Sequence, residues 1–167
     1  LLGPSETVAR LPNMIASLGG IAIVYVAARR LYDARTGALS ALLLALSPFD
    51  IQFAPTAFTD PLMVALAAAS CLLALHGRFL AAGLAMGLAA ITKQTALLVL
   101  PLLLLAAMAA PAARRRRLHL STLRLGAGLA LGVLPCAIWD RVIRSSWPSF
   151  LEVGSAHYGG LALVPWG

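Results

Sequence analysis

The feature that most limits the fold of this chain is a series of apolar runs separated by short polar breaks. The runs cover residues 14–28, 38–46, 62–75, 79–110 and 125–139. Only 11% of the 167 residues are charged and 60% are hydrophobic, whereas soluble domains carry about 25% charged residues. The sequence therefore predicts an all-α, polytopic transmembrane bundle of about six hydrophobic helices, some of them short or broken.

The boundaries of this bundle follow from where the polarity changes. Residues 3–13 are polar and amphipathic, with Glu6 and Arg10 four positions apart on one helical face. They predict an interfacial helix ahead of transmembrane helices over 14–139. Residues 140–167 are more polar and aromatic, which favours a truncated loop or interfacial segment on the outer side.

The apolar region 79–110 is too long for one membrane-spanning helix and too short for two of full length. We predict two short helices that meet at the polar interruption TKQT, residues 92–95. Gly83 and Gly87 form a small-xxx-small pair, which predicts that the first of these helices packs closely on a neighbour.

The distribution of charge predicts the topology. Alternating the sides of successive helices places nine of the 13 basic residues on one face, namely Arg29, Arg30, Arg35, Arg78, residues 114–117 and Arg124. Five of the six acidic residues fall on the opposite face. The positive-inside rule makes the basic face cytoplasmic. The basic run 114–117 lacks interleaved aromatics and any nucleic-acid motif, so a membrane role is favoured and no nucleic-acid partner is expected.

The segment 47–61, SPFDIQFAPTAFTDP, carries the first candidate site residue. Its three prolines predict a broken turn between two helices, and it holds Asp50 and Asp60. A carboxylate at a membrane edge is costly without a partner or a role, so Asp60 is the leading functional candidate. Capping of the helix that opens at Pro61 is an equally good local explanation for Asp60.

Lys93 is the only lysine of the chain and interrupts an apolar stretch. One interpretation is snorkelling, in which the apolar stem lies in lipid and the ammonium reaches water. The other is phosphate binding, because a compact ammonium is a good phosphate ligand and Lys93 shares the predicted outer face with Asp60 and Arg10.

The order of these motifs resembles a known enzyme superfamily. RLPN at 10–13 is followed by VYVAARRLYDARTGALSALLLALSPFDIQF, TDP and GLAAITKQTALLVLPLLLL. Together they are similar to GT-C membrane glycosyltransferases, in particular the protein-mannosyltransferase-like and aminoarabinose-transferase-like branch. The resemblance covers residues 6 to about 105.

The resemblance implies roles for individual residues. Asp60 matches an acidic residue near the catalytic cavity, while Lys93 and Arg10 match positions near the donor phosphate. The chain differs from many members at Ala54-Pro55, where these have an arginine. Secondary candidates are Asp50, His157 and Tyr158.

The function implied is transfer of a sugar from a polyprenyl-phosphate donor to a protein, lipid or glycan acceptor. The expected location is the plasma membrane of a prokaryote, with an extracytoplasmic active face. Some relatives use a divalent ion, but no metal ligands are assigned here. The resemblance also implies that a first transmembrane helix and an outer loop with the family's principal acidic motif precede Leu1. The principal catalytic base is expected in that loop, so the isolated chain is expected to be inactive. A transporter or flippase segment and a non-catalytic membrane scaffold are the alternatives.

Overall fold

The computed structural model describes residues 6–56, 58–109 and 118–143, and all regular structure in these ranges is helical. The α-helices are α1 (Glu6–Leu31), α2 (Ala34–Ala45), α3 (Pro48–Phe53), α4 (Asp60–Leu75), α5 (Phe79–Thr92), α6 (Leu100–Ala109) and α7 (Leu118–Ile138). A 3₁₀ helix, Gln94–Val99, joins α5 to α6, and a π-helical turn, Trp139–Ile143, follows α7. The predicted all-α class is confirmed.

The surface of these helices is suited to lipid. Two segments, Val8–Leu31 and His119–Val142, are long and apolar enough to cross a membrane, and four shorter helices are apolar as well. Large apolar side chains lie outward on several helices, including Leu18, Leu43 and Leu98, the last of which is 81% exposed. Such extensive apolar exposure is rare on soluble monomers, and it fits a chain whose outer surface contacts acyl chains.

Helix α1 unites two segments that differ in polarity. It runs without a break from Glu6 to Leu31 and contains Pro12, so the polar residues before Pro12 and the apolar run after it form one helix. Proline removes a single backbone donor, and transmembrane helices tolerate that loss. That the first part lies in the membrane interface stays a prediction.

A short turn reverses the chain between α1 and α2. Asp33 is the N-cap of α2, and its carboxylate accepts a 2.6 Å hydrogen bond from the Thr36 amide. This bond stabilises the ionised form and lowers the pKa of Asp33. Helices α1 and α2 therefore form a hairpin, and α1 also packs along α4.

The segment 47–61, which we call the acidic segment, contains a helix where the sequence predicts a broken turn. Pro48 opens α3, which continues to Phe53. Proline is well suited to the first helical turn because the amide that it lacks has no partner there. The three prolines thus limit the length of the helix without preventing it, and the irregular part of the segment lies between α3 and α4.

Helices α4 and α5 form the hairpin that positions the site. Gly77 has φ of 72°, a left-handed conformation that glycine adopts without strain and that commonly ends helices. Next to it, the Arg78 amide donates to the Leu73 carbonyl at 3.0 Å. Between the helices, the buried Ser70 hydroxyl donates to the Ala82 carbonyl at 2.8 Å. At 1.5 Å per residue the two helices span about 24 and 21 Å, so the end of α5 returns to the start of α4.

The predicted break within residues 79–110 is confirmed. Lys93 has an extended backbone (φ −156°, ψ 127°) between α5 and the 3₁₀ helix. Its amide donates to Ala89, the last bond of α5, and its carbonyl accepts from Ala96. The core around this break is built from small side chains with a few larger ones, among them the fully buried Met86 and Leu103.

Four glycines form a seam between α5 and α7. A Cβ at Gly83 would collide with the Leu125 carbonyl, and one at Gly87 would lie 2.6 Å from the Leu129 carbonyl. In the same way, a Cβ at Gly128 of α7 would collide with the Leu80 carbonyl of α5, and one at Gly132 would lie 2.7 Å from the Leu84 carbonyl. Only glycine permits such an approach of two backbones, and the predicted close packing of the Gly83–Gly87 face is confirmed.

Internal contacts divide the chain into two units, Leu1–Val133 and Leu134–Gly167. The candidate site lies in the first unit. The described part of the second, residues 134–143, comprises the end of α7 and the π-helical turn, where Trp139 and Val142 are exposed.

Candidate functional site

Asp60 and Lys93 form an ion pair. The Lys93 ammonium donates to the Asp60 Oδ1 atom at 2.6 Å. Asp60 opens α4 and Lys93 follows α5, so the hairpin that turns at Gly77 brings together two residues that are 33 positions apart. Two leading sequence candidates therefore occupy one place.

The local backbone favours both charges of this pair. The amino end of a helix carries partial positive charge and the carboxyl end partial negative charge. Asp60 lies in the first turn of α4, and Lys93 lies at the carboxyl end of α5. The Asp60 side chain is 23% exposed and that of Lys93 40% exposed, so both groups remain accessible to a ligand.

The structure does not support a role for Asp60 as a helix cap. Helix α4 begins at Asp60 itself, and Thr59 occupies the N-cap position without a side-chain cap hydrogen bond. Asp60 Oδ1 instead accepts from Lys93. The helix therefore starts without a capping side chain, and the Asp60 carboxylate is directed to the cation.

Lys93 differs from a lone snorkelling lysine because its ammonium contacts a carboxylate. An ammonium has three donors, and one of them is directed to Asp60. The remaining donors and the exposed fraction of the side chain leave room for an anionic ligand. The pair thus has an open cationic side and a carboxylate beside it.

Asp50 is held by a serine that the sequence did not single out. The Ser17 hydroxyl on α1 donates to Asp50 Oδ2 on α3 at 2.6 Å. Ser17 is buried and Asp50 is half-buried. This hydrogen bond ties α3 to α1 and orients the second carboxylate of the acidic segment.

Asn13 contacts the loop that leads to Asp60. Its side-chain nitrogen donates to the Thr56 carbonyl at 2.8 Å and also to the Phe58 carbonyl. Asn13 and Ser17 are four residues apart on α1 and both are buried. This spacing of polar residues on one helical face is the signal in the sequence that identifies them.

The other sequence candidates are placed less closely. Arg10 is exposed on α1 in the turn before Asn13, at the same end of that helix. His157 and Tyr158 lie outside the described residues. Within the described ranges, no group of three His, Cys, Asp or Glu side chains is arranged to hold a metal ion.

Comparison with known proteins identifies the family. No match was found among curated proteins or among solved structures. The family profile of dolichyl-phosphate-mannose-protein mannosyltransferases matches residues 1–139, a range that contains all the contacts described above. This match favours a membrane glycosyltransferase over the transporter and scaffold alternatives. The chain belongs to the dolichyl-phosphate-mannose-protein mannosyltransferase family and is a GT-C-type, mannosyltransferase-like membrane protein.

Proposed function

We propose that this chain is part of an enzyme that transfers a sugar from a polyprenyl-phosphate donor to an acceptor on the extracytoplasmic face of the membrane. The observation that supports this best is the Asp60–Lys93 ion pair in a chain of this family. The pair combines an accessible cation, suited to a lipid phosphate, with a carboxylate suited to an acceptor hydroxyl.

Lys93 has the chemistry of a donor-phosphate ligand. When the bond between the sugar and the phosphate breaks, negative charge develops on the departing phosphate. A fixed cation at that position stabilises the transition state, and this kind of term is often the largest in catalysis. Lys93 lies at the end of an apolar helix, a position that fits a ligand at the boundary between lipid phosphates and acyl chains.

Asp60 is the supporting carboxylate of the proposed reaction. One of its oxygens accepts from Lys93, and the other is available to accept a proton or a hydrogen bond from the attacking hydroxyl. General-base assistance of this kind contributes roughly 10²- to 10⁴-fold. Asp50, oriented by Ser17, is a secondary acidic candidate, and Arg10 is a further cation for the phosphate.

The assignment of activity is tested by a transfer assay. The intact protein, reconstituted in proteoliposomes, is given polyprenyl phosphates that carry radiolabelled sugars, including mannose. We expect label to leave the lipid and appear on an acceptor, and we expect much less transfer with the Asp60→Asn/Lys93→Met double variant. Movement of intact donor between leaflets with no transfer of its sugar would instead support the transporter alternative.

The proposed orientation is tested by cysteine labelling. Phe58 is 60% exposed beside Asp60, and Tyr32 is 75% exposed in the turn after α1. In a background that lacks Cys71 and Cys136, an impermeant maleimide should label Phe58→Cys in intact cells and Tyr32→Cys only after permeabilisation. The opposite pattern would place the ion pair on the cytoplasmic face and contradict the positive-inside count.

A further inference from the structure

Asn13 makes a contact that neither the ion pair nor the proposed reaction explains. It is 7% exposed, and its side chain crosses from α1 to the segment between α3 and α4. The two carbonyl oxygens that it contacts belong to Thr56 and Phe58. The second of these is two residues before Asp60.

The chemistry of this contact requires a primary amide. Both partners are carbonyl oxygens, so the atom that faces them must be a nitrogen with two hydrogens, and an uncharged side chain provides this only in asparagine or glutamine. A carbonyl that is shielded from water and lacks a donor destabilises the fold. One amide group therefore donates to two carbonyls of the loop between α3 and α4.

The loop held in this way determines where Asp60 lies. Thr56 is also hydrogen-bonded to the end of α3, since its amide donates to the Phe53 carbonyl at 3.0 Å. Forward of Phe58, the Thr59 carbonyl accepts from the Met63 amide and opens α4. Asn13 thus fixes the backbone between the last turn of α3 and the first turn of α4, where the Asp60 side chain originates. No side-chain cap fixes the start of α4, so this loop contact takes on that task.

We propose that Asn13 is a positioning residue of the transfer site, which holds the Asp60 carboxylate against Lys93 through the loop backbone. This inference rests on the proposed function for its effect on turnover. Its effect on the loop is independent of the reaction. A misplacement of about 1 Å at a reacting group can cost about 10²-fold in rate, so a residue that never meets the substrate can control kcat.

The test is a double-mutant cycle between Asn13 and Asp60 in the intact enzyme, combined with amide hydrogen exchange. Asn13→Ala should lower kcat at least about tenfold in the parent background. In the Asp60→Asn background the same change should have little further effect, because residues that act through one another are not additive. Asn13→Ser, which keeps one donor, should give an intermediate loss and replaces Asn13→Ala if that variant does not fold.

Ser70→Ala is the matched control. Ser70 is also buried and also donates to a carbonyl between two helices, but it lies in the middle of α4, remote from the loop. Exchange of amides within residues 54–62 should accelerate in Asn13→Ala and remain at the parent rate in Ser70→Ala. Equal losses of kcat in both Asp60 backgrounds, or unchanged exchange in the loop, would overturn the proposal.

The two proposals fail in different ways. If Asp60→Asn transfers sugar at the parent rate, the role proposed for Asp60 is wrong, and hydrogen exchange alone then decides about Asn13. Faster exchange at 54–62 in Asn13→Ala still supports its role in fixing the loop. If Asp60→Asn is impaired but Asn13→Ala is fully active, the site stands and the positioning role is overturned.

Discussion

Replacing Asp60 with asparagine is expected to lower the turnover of the intact enzyme by about 10²-fold, the low end of the contribution of general-base assistance. Asparagine has the same shape and still offers an oxygen to the Lys93 ammonium, so the hairpin of α4 and α5 should persist. Partly exposed ion pairs contribute about 1 kcal/mol or less to stability, and expression should survive. Measurement of kcat tests Asp60 as the proton acceptor, and measurement of donor affinity tests it as the partner of the Lys93 ammonium.

Donor affinity should remain the same or increase in this variant. Asp60 places a negative charge beside the ammonium, and this charge repels the donor phosphate. Asp33→Asn is the matched control, since asparagine caps helices about as well as aspartate and Asp33 lies in the turn at the other end of α1. Turnover of Asp60→Asn at the parent rate would remove Asp60 from the catalytic site.

Replacing Lys93 with methionine should weaken donor binding by roughly ten- to hundredfold. This range corresponds to the loss of one hydrogen bond to a charged group, about 1.5–3 kcal/mol. Methionine keeps the length and the apolar stem of lysine and removes only the charge. If Lys93 merely snorkels, this change should leave donor binding at the parent level, because no charge then has to reach water.

The same change also leaves Asp60 without its cation, and a second background separates these effects. The donor is titrated on Asp60→Asn and on the Asp60→Asn/Lys93→Met double variant, neither of which has an ion pair. The difference between them isolates the contact between Lys93 and phosphate. Lys93→Arg should recover part of the affinity, since a planar fork does not fully replace a compact ammonium. Coincident titration curves for the parent, Lys93→Met and Lys93→Arg would exclude Lys93 as a phosphate ligand.

The helices themselves were predictable because membrane helices are encoded in apolar composition. The break at Lys93 was predictable for the same reason, since a polar tetrapeptide in such a run cannot lie comfortably in lipid. Helix α3 and the passage of α1 through Pro12 were not. Proline is a poor guide near helix starts and within membranes, because the lost hydrogen bond is either absent there anyway or tolerated.

The site was predictable in its members and less so in its contacts. Asp60 and Lys93 stand out as rare charges among apolar residues. Their pairing also has a signal in the sequence that the charge count did not use, because they lie at nearly equal distances on either side of Gly77. Asn13 and Ser17 were missed as site residues since polar side chains on membrane helices usually join neighbouring helices. Their partners, two loop carbonyls for Asn13 and the Asp50 carboxylate for Ser17, depend on the tertiary fold.

The glycine seam limits how far α5, and with it Lys93, can shift along α7. Where backbones touch directly, there is no layer of side chains that can change rotamer to absorb a shift, and α5 cannot slide along α7 without driving carbonyl oxygens into glycine Cα atoms. The Lys93 ammonium at the end of α5 is therefore carried by a helix that cannot slide along its neighbour. Asp60 lies at the start of α4, and the side-chain amide of Asn13 holds the loop that precedes it. The seam thus holds the cation along α7, and the Asn13 contact holds the loop from which the carboxylate projects.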